Sequence, residues 1–259
     1  MIYYKFNGSI MEMDGQQACF TPDDMGFVVN LANEGKLFPD DEFLNMFRDD
    51  IGDSMKDKCL IDVGANYGAY SMALQDLFGH VYAFEPNVKV YNILCANAVL
   101  CGFSEKSTLI NCGLSDKEET LTYTYLDELG GVNCFRRDNE NDMSCRLYHK
   151  NDWYESVWRH DVKMTVHTLD SYHISNVGVI KIDVEGFELD VLKGAEQTIV
   201  NSNYPILIVE SWNVEEGDLE DVKQAKTELR EQLFHQIMDV WGYTIWQCGY
   251  DNFICKKVN

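Results

Sequence analysis

From about residue 58 onward, short apolar runs alternate with amphipathic stretches of helical length, and this alternation constrains the chain more than any other feature. A run of strand length that is apolar at nearly every position must be covered on both faces, and strand–helix–strand order then builds a parallel sheet. Cys59-Leu60-Ile61-Asp62-Val63 is the first such run, followed by a helix over 67–78 that Gly79 stops. Residues 80–84 are the second. Pro86 opens the next helix where its missing N–H costs nothing, and Gly102 closes it. Residues 107–112, 177–184 and 205–210 supply three more strands, with a helix over 188–200 after the fourth and a long acidic helix over about 219–240 after the fifth. Residues 243–247 and 252–256, joined by a turn at 249–252, end the chain. The expected fold is α/β: a doubly wound, seven-stranded, mostly parallel sheet with an antiparallel C-terminal strand pair.

The alternation breaks twice. Residues 119–126 interleave threonine with large apolar residues, a period-two pattern that suggests a hairpin arm on the third strand. Residues 127–164 are polar and without clear period, and order resumes only near Met164. Ahead of the alternation, residues 1–57 form an accessory segment with one helix, about 41–50, whose apolar side is Phe43, Leu44, Met46 and Phe47. The expected organisation is an N-terminal segment, 1–57, packed on a core of 58–259 into which 127–164 are inserted.

Charge narrows the partners. Lys and Arg number 21 against 43 Asp and Glu, a formal net charge of −22, so the chain repels nucleic-acid phosphates and anionic lipid surfaces. No stretch approaches the ~20 apolar residues of a membrane helix, and the amino terminus shows no basic leader ahead of an apolar run. A soluble, unprocessed protein is expected. The nine cysteines include no C-x-x-C pair, their number is odd, and several lie in apolar runs. That usage points to a reducing cytosol and away from a cysteine-based zinc site.

Between the first strand and its helix stands Ile61-Asp62-Val63-Gly64-Ala65-Asn66-Tyr67-Gly68. Its glycines permit a sharp turn and a close ligand, so a nucleotide-like cofactor is expected against Gly64, Asn66, Tyr67 and Gly68; a purely structural turn would use glycine too. Asp62 separates two ligand chemistries. A carboxylate at the end of this strand repels a pyrophosphate and favours a cation, such as the amino group and sulfonium of S-adenosylmethionine. Asn66 and Ala69 replace the second and third glycines of G-x-G-x-x-G, which counts against a dinucleotide-dependent oxidoreductase. Glu85, followed by Pro86, lies roughly 20 residues beyond Asp62, where doubly wound folds place the carboxylate that accepts both ribose hydroxyls. It equally suits a helix N-terminus. Ser115 and Asp116 close the third strand and can reach an adenine amino group, or form an ordinary turn.

Together these residues resemble the FkbM-type family of S-adenosylmethionine-dependent methyltransferases, over roughly residues 22–212. The resemblance is carried by 61–68, by Phe84-Glu85-Pro86-Asn87 with Asn97 downstream, and by Gly113-Leu114-Ser115-Asp116. It continues in Thr168-Leu169-Asp170, in residues 181–188 and in Val191-Leu192-Lys193-Gly194-Ala195. Residues 21–26 and 35–38 look like the segment that family places before the cofactor strand. The resemblance implies a Rossmann-like class I methyltransferase fold, S-adenosylmethionine as methyl donor, and O-methylation of a sugar or natural-product hydroxyl as the usual chemistry.

Lys181-Ile182-Asp183-Val184-Glu185-Gly186-Phe187-Glu188 brings carboxylates and a lysine to the end of the fourth strand, the edge at which open parallel sheets bind ligands. Alternation puts Lys181, Asp183 and Glu185 on one side while the strand stays extended. Methyl transfer to a hydroxyl requires in-line approach and removal of the hydroxyl proton. Asp183, with Lys181 beside it, is the expected base, and Glu185 orients the acceptor or shares the proton. Glu210, ending the fifth strand, joins them if the two strands are neighbours. Asp183, Glu185 and Glu210 are alternatively ligands for Mg²⁺ or Ca²⁺. In the plainer reading Lys181 and Asp183 form a buried ion pair and Glu185 favours the helix start, the role preferred for Glu188.

Within 127–164, Tyr148, Trp153, Tyr154 and Trp158 stand among Arg136, Arg137, Arg146, Lys150, Arg159 and Lys163, a mixture suited to sugar rings. This segment is expected to cover the acceptor; a surface insertion packing its own aromatics is the alternative. His149, His160 and His167 lack ligand spacing. For the whole chain, the reading opposed to an enzyme is a non-catalytic interaction module on the same fold.

Overall fold

The computed structural model describes residues 9–13, 16–20, 41–126, 129–137 and 159–258. The chain begins with strands β1 (Ser9–Met13) and β2 (Gln16–Phe20) and helix α1 (Asp41–Ile51). Then come β3 (Cys59–Val63), α2 (Ala69–Leu74), β4 (His80–Phe84), α3 (Val88–Leu100) and β5 (Ser107–Ile110). Strands β6 (Gly113–Leu114), β7 (Glu119–Leu126), β8 (Leu129–Arg136) and β9 (Arg159–His167) follow. The remainder is β10 (Val177–Ile182), α4 (Glu188–Lys193), α5 (Glu196–Asn201), β11 (Ile206–Glu210), α6 (Glu220–Phe234), β12 (Thr244–Gln247) and β13 (Asn252–Lys256).

The expected seven-stranded sheet is present, in the order β12-β13-β11-β10-β3-β4-β5. Strands β11, β10, β3, β4 and β5 run parallel, and β13 is reversed between β11 and β12. All six residues of β10 are buried, as is β3 after Cys59, which is what covering both faces of a parallel strand demands. Alternation then sorts the side chains. Ile61, Val63, Ile180 and Ile182 face one side and meet Val191, Leu192, Ile199, Leu233 and Ile237. Leu60, Val81, Val179 and Ile208 face the other and meet Leu74, Leu77 and Phe78 together with Phe43, Leu44, Phe47 and Ile51 of α1. Met46 lies off that helical stripe and is 67% exposed, so Ile51 takes the place expected of it. The chain leaves β3 towards β4 on one side of the sheet and β10 towards β11 on the other. A crevice therefore opens where β3 and β10 lie side by side.

The arm at 119–126 does not extend the third strand. It belongs to a second, four-stranded sheet of order β6-β9-β7-β8, reached from β5 through Asn111 and Cys112. Strand β7 pairs antiparallel with both β8 and β9, so both ends of the segment expected to be irregular are regular strands. Charged residues at 159, 161 and 163 disguise a period-two pattern whose other members include Val162, Met164 and Val166. Residues 138–158, with Arg146, Tyr148, His149, Lys150, Trp153, Tyr154 and Trp158, lie outside the described residues, as do 21–26 and 35–38.

Helix α2 starts later than residue 67 because residues 65–68 first close a turn, Gly68 N–H donating to the Ala65 carbonyl at 2.8 Å. The helix expected over 188–200 is two, α4 and α5, interrupted around Gly194 where the chain lies against the Ser115 backbone. No helix among the described residues is long and apolar enough to cross a membrane. Cys59, Cys95, Cys101, Cys112, Cys134, Cys248 and Cys255 are free thiols.

Candidate active site

The loop after β3 is held almost entirely through its main chain. Gly64 and Ala65 donate to the Phe84 carbonyl at 3.0 and 2.9 Å, tying the loop to β4. Asn66 takes a left-handed φ of 52° and donates its N–H to Glu85 Oε2 at 3.0 Å. The buried Asn97 side chain donates to the Tyr67 carbonyl at 2.7 Å. Gly64 is required by contact: at φ 70°, a Cβ there would sit 1.8 Å from the Asp183 carbonyl oxygen. The loops after β3 and β10 thus touch backbone to backbone.

Asp62 is fully buried beneath this loop and does not line the cavity above it. Its Oδ2 accepts from Ser71 N–H at 3.2 Å and Ser71 Oγ at 2.6 Å in the first turn of α2, and its Oδ1 lies 3.5 Å from Lys181 Nζ. The positive charge it was expected to receive from a ligand comes instead from a lysine and a helix N-terminus. Glu85 does face the cavity. Its two carboxylate oxygens accept from Asn66 and Asn87 N–H at 3.0 and 2.8 Å, and burial lifts its pKa to about 7. Asn111 fixes the same corner by donating to the Glu85 and Pro86 carbonyls at 2.8 and 2.9 Å.

On the other side, Lys181 of β10 is 3% exposed, sits opposite Asp62 in register, donates to the Gly64 carbonyl at 3.0 Å and pairs with Asp183 at 3.3 Å. Burial works to lower its pKa, but Asp183 and Asp62 prevail and raise it. Glu185 takes a left-handed φ of 57°. The Glu188 carboxylate spans the loop from below, accepting from Val184 and Gly186 N–H at 3.1 Å each, and burial lifts it to about 7. Because β11 runs beside β10, Glu210 arrives next to them, and one carboxylate oxygen each from Asp183, Glu185 and Glu210 lies within 4.8 Å of the others. Burial and the neighbouring Asp183, Glu185 and Glu188 push the Glu210 carboxyl well above the usual carboxylate range.

These parts enclose a cavity of about 310 Å³. Of the residues expected at a site, Gly64, Asn66, Tyr67, Glu85, Pro86, Lys181, Asp183, Glu185 and Glu210 line it; Asp62, Gly68, Ser115 and Asp116 do not. Gly68 is turned under the loop at the start of α2. Ser115 is buried, its N–H donating to the His167 carbonyl at 2.8 Å, and Asp116 pairs with Arg137 at 3.0 Å. Both bonds tie the chain after β6 to β9 and to the end of β8 within the four-stranded sheet, and neither residue opens onto the cavity. Sequence reasoning missed Tyr70 and Met72 of α2, Cys112 to Leu114, and Tyr123, Asn133 and Phe135 of the four-stranded sheet. The period-two pattern at 119–126 did carry a signal, since Leu121, Tyr123 and Tyr125 share one face.

A family model described as the methyltransferase FkbM domain matches residues 62–251. The chain belongs to the FkbM methyltransferase family. Its curated relatives include methyltransferase sdnD of Sordaria araneosa, 26% identical over 63% of this chain and 70% of that one. Methyltransferase 1 of Beauveria bassiana is 24% identical over 57% of this chain and 62% of its own. Among solved structures, methyltransferase FkbM from Methylobacillus flagellatus is 16% identical with a TM-score of 0.47, over 77% of this chain and 43% of that one. The chain thus spans less than half the length of that bacterial protein. The FkbM match starts at Asp62 within β3 and ends in the turn before β13, so it takes in every cavity-lining residue and leaves out α1 and the β1–β2 hairpin.

Proposed function

We propose that this FkbM-family methyltransferase takes its methyl group from S-adenosylmethionine and passes it to a hydroxyl of a small polar metabolite such as a sugar, with Asp183 as base. The supporting observation is a juxtaposition: a glycine loop and a ribose-type carboxylate, Glu85, share one cavity with the carboxylates Asp183, Glu185 and Glu210. The residues fit the donor. Asn66 Oδ1 and Glu210 Oε2 are buried without a hydrogen-bond partner, and both residues line the cavity. Orphaned acceptors beside carboxylates complement a ligand that brings a cation and hydroxyl donors. Glu85 would take the ribose hydroxyls and the Gly64–Asn66 main chain would flank the nucleoside.

When bound, S-adenosylmethionine supplies a sulfonium methyl and departs as the neutral thioether. Asp183 accepts the acceptor's hydroxyl proton as the new oxygen–carbon bond forms. Lys181 holds that carboxylate in place, and Glu185, on the same loop, orients the hydroxyl. Glu210, hydrogen-bonded to Asp183, lies beside that carboxylate at the edge of the acceptor site. With Lys181 already paired to Asp183, the trio suits proton handling better than a Mg²⁺ site. The net charge of −22 disfavours polyanionic acceptors such as nucleic acid. Calorimetry of the full chain with S-adenosylhomocysteine tests the donor: saturable binding is expected, and its absence would overturn the proposal. Mass spectrometry of sugar and metabolite pools for a gain of one methyl tests the acceptor.

A further inference from the structure

The four-stranded sheet also faces the cavity, through Tyr123, Asn133 and Phe135. Tyr123 and Phe135 are cross-strand partners on β7 and β8, their ring centroids 4.8 Å apart. Phe135 is seated over Gly113, where a Cβ would lie 2.4 Å from its ring. Leu121, Val166 and Phe187 complete the cluster around the pair. Arg137, two residues beyond Phe135, pairs with Asp116, Glu119 and Asp190 at 3.0, 2.9 and 3.1 Å and so fastens this face to α4. Tyr123 is consequently 3% exposed and fixed on all sides but the cavity, with its phenol hydrogen-bonded to the Asn87 side chain and under the charges of Glu85 and Glu185. Burial and those carboxylates raise its pKa far above 10, so the phenol keeps its hydrogen.

From this placement we infer that Tyr123 is a ligand-binding residue, its phenol donating a hydrogen bond to the adenosyl donor between the ends of the cavity marked by Glu85 and Glu185. The inference rests on the donor proposed above. A preformed donor of this kind contributes only if its partner would otherwise go unpaired. Tyr123→Phe keeps the ring and its packing and removes only the hydroxyl.

Calorimetry of wild type and Y123F with S-adenosylhomocysteine, and separately with adenosine, decides the matter. Y123F is expected to bind S-adenosylhomocysteine about 5- to 10-fold more weakly. A parallel loss with adenosine assigns the bond to the nucleoside, and an undiminished adenosine affinity assigns it to the amino-acid portion; both support the inference. Equal affinity of Y123F and wild type for S-adenosylhomocysteine would overturn it, the more so if the thermal midpoint of Y123F falls, because the phenol would then serve only Asn87. Wild type that binds neither probe would overturn the donor reading itself, a separate outcome.

Discussion

The two sides of the cavity are built on opposite principles. On the β3–β4 side, the loop from Gly64 to Tyr67 and the Glu85 carboxylate are joined by main-chain hydrogen bonds to Phe84, Asn66 and Asn87 and by the Asn97 amide. On the β10–β11 side, Asp183, Glu185 and Glu210 crowd three carboxyl groups together, and Glu210 Oε2 is left without a partner. The first side is a finished mould. The second brings together carboxyl groups whose mutual repulsion a proton or a hydroxyl relieves.

The comparison breaks most sharply at Asp183. Asp183→Asn should lower methyl transfer by about 10²- to 10⁴-fold while S-adenosylhomocysteine affinity, read by calorimetry, stays within about threefold. An equal loss in both would show that the two sides are not separable. Lys181 belongs to both sides, so Lys181→Met strands Asp62 without its cation; chemical denaturation should reveal a loss of about 3–5 kcal/mol. Glu85→Gln acts on the mould alone and should weaken S-adenosylhomocysteine by roughly tenfold.

Acidity sharpens the contrast further. Since ribose hydroxyls favour the ionised Glu85 and its pKa stands at about 7, donor affinity should fall as pH drops below about 7, by up to tenfold per unit, and E85Q should flatten that profile. The ligand-free fold should respond in the reverse sense and more weakly. Glu85 and Glu188 both titrate at about 7 when folded, against 4.5 ordinarily, so their contribution to stability is complete below about pH 4.5 and fades as pH rises through 7. The thermal midpoint without ligand should therefore decline from pH 6 to pH 8, by about 2–4 °C, and Glu188→Gln should remove part of that slope. Asp76, lowered by its bond to Arg48, acts only in the acid range below and does not disturb this window.

The parallel sheet was legible because strands buried on both faces must be apolar at most positions, and β3, β4, β10 and β11 all are, with Asp62, His80, Lys181 and Glu210 as their exceptions. The same adjacency argument brought Glu210 to Asp183, since consecutive strands after the crossover pair side by side. What escaped is non-local or rotameric. Whether Asp62 points up to a ligand or down to Ser71 depends on a side-chain torsion, and the local run Asp-Val-Gly is the same in either case. Tyr123 and Phe135 meet the cavity only because β7 pairs with β9 across the inserted segment, a contact that no local period encodes. Ser115 and Asp116 misled for the reverse reason: their neighbourhood in sequence is the cavity rim, but Arg137 and the His167 carbonyl draw them away from it.

The contact between Gly64 and the Asp183 carbonyl leaves no slack for even a methyl group between the two halves. The separation between a seated donor and the proposed proton acceptor is therefore gauged by main chain against main chain, which does not hop between rotamers as long side chains do. A shift of either loop towards its neighbour is therefore blocked by the other's main chain.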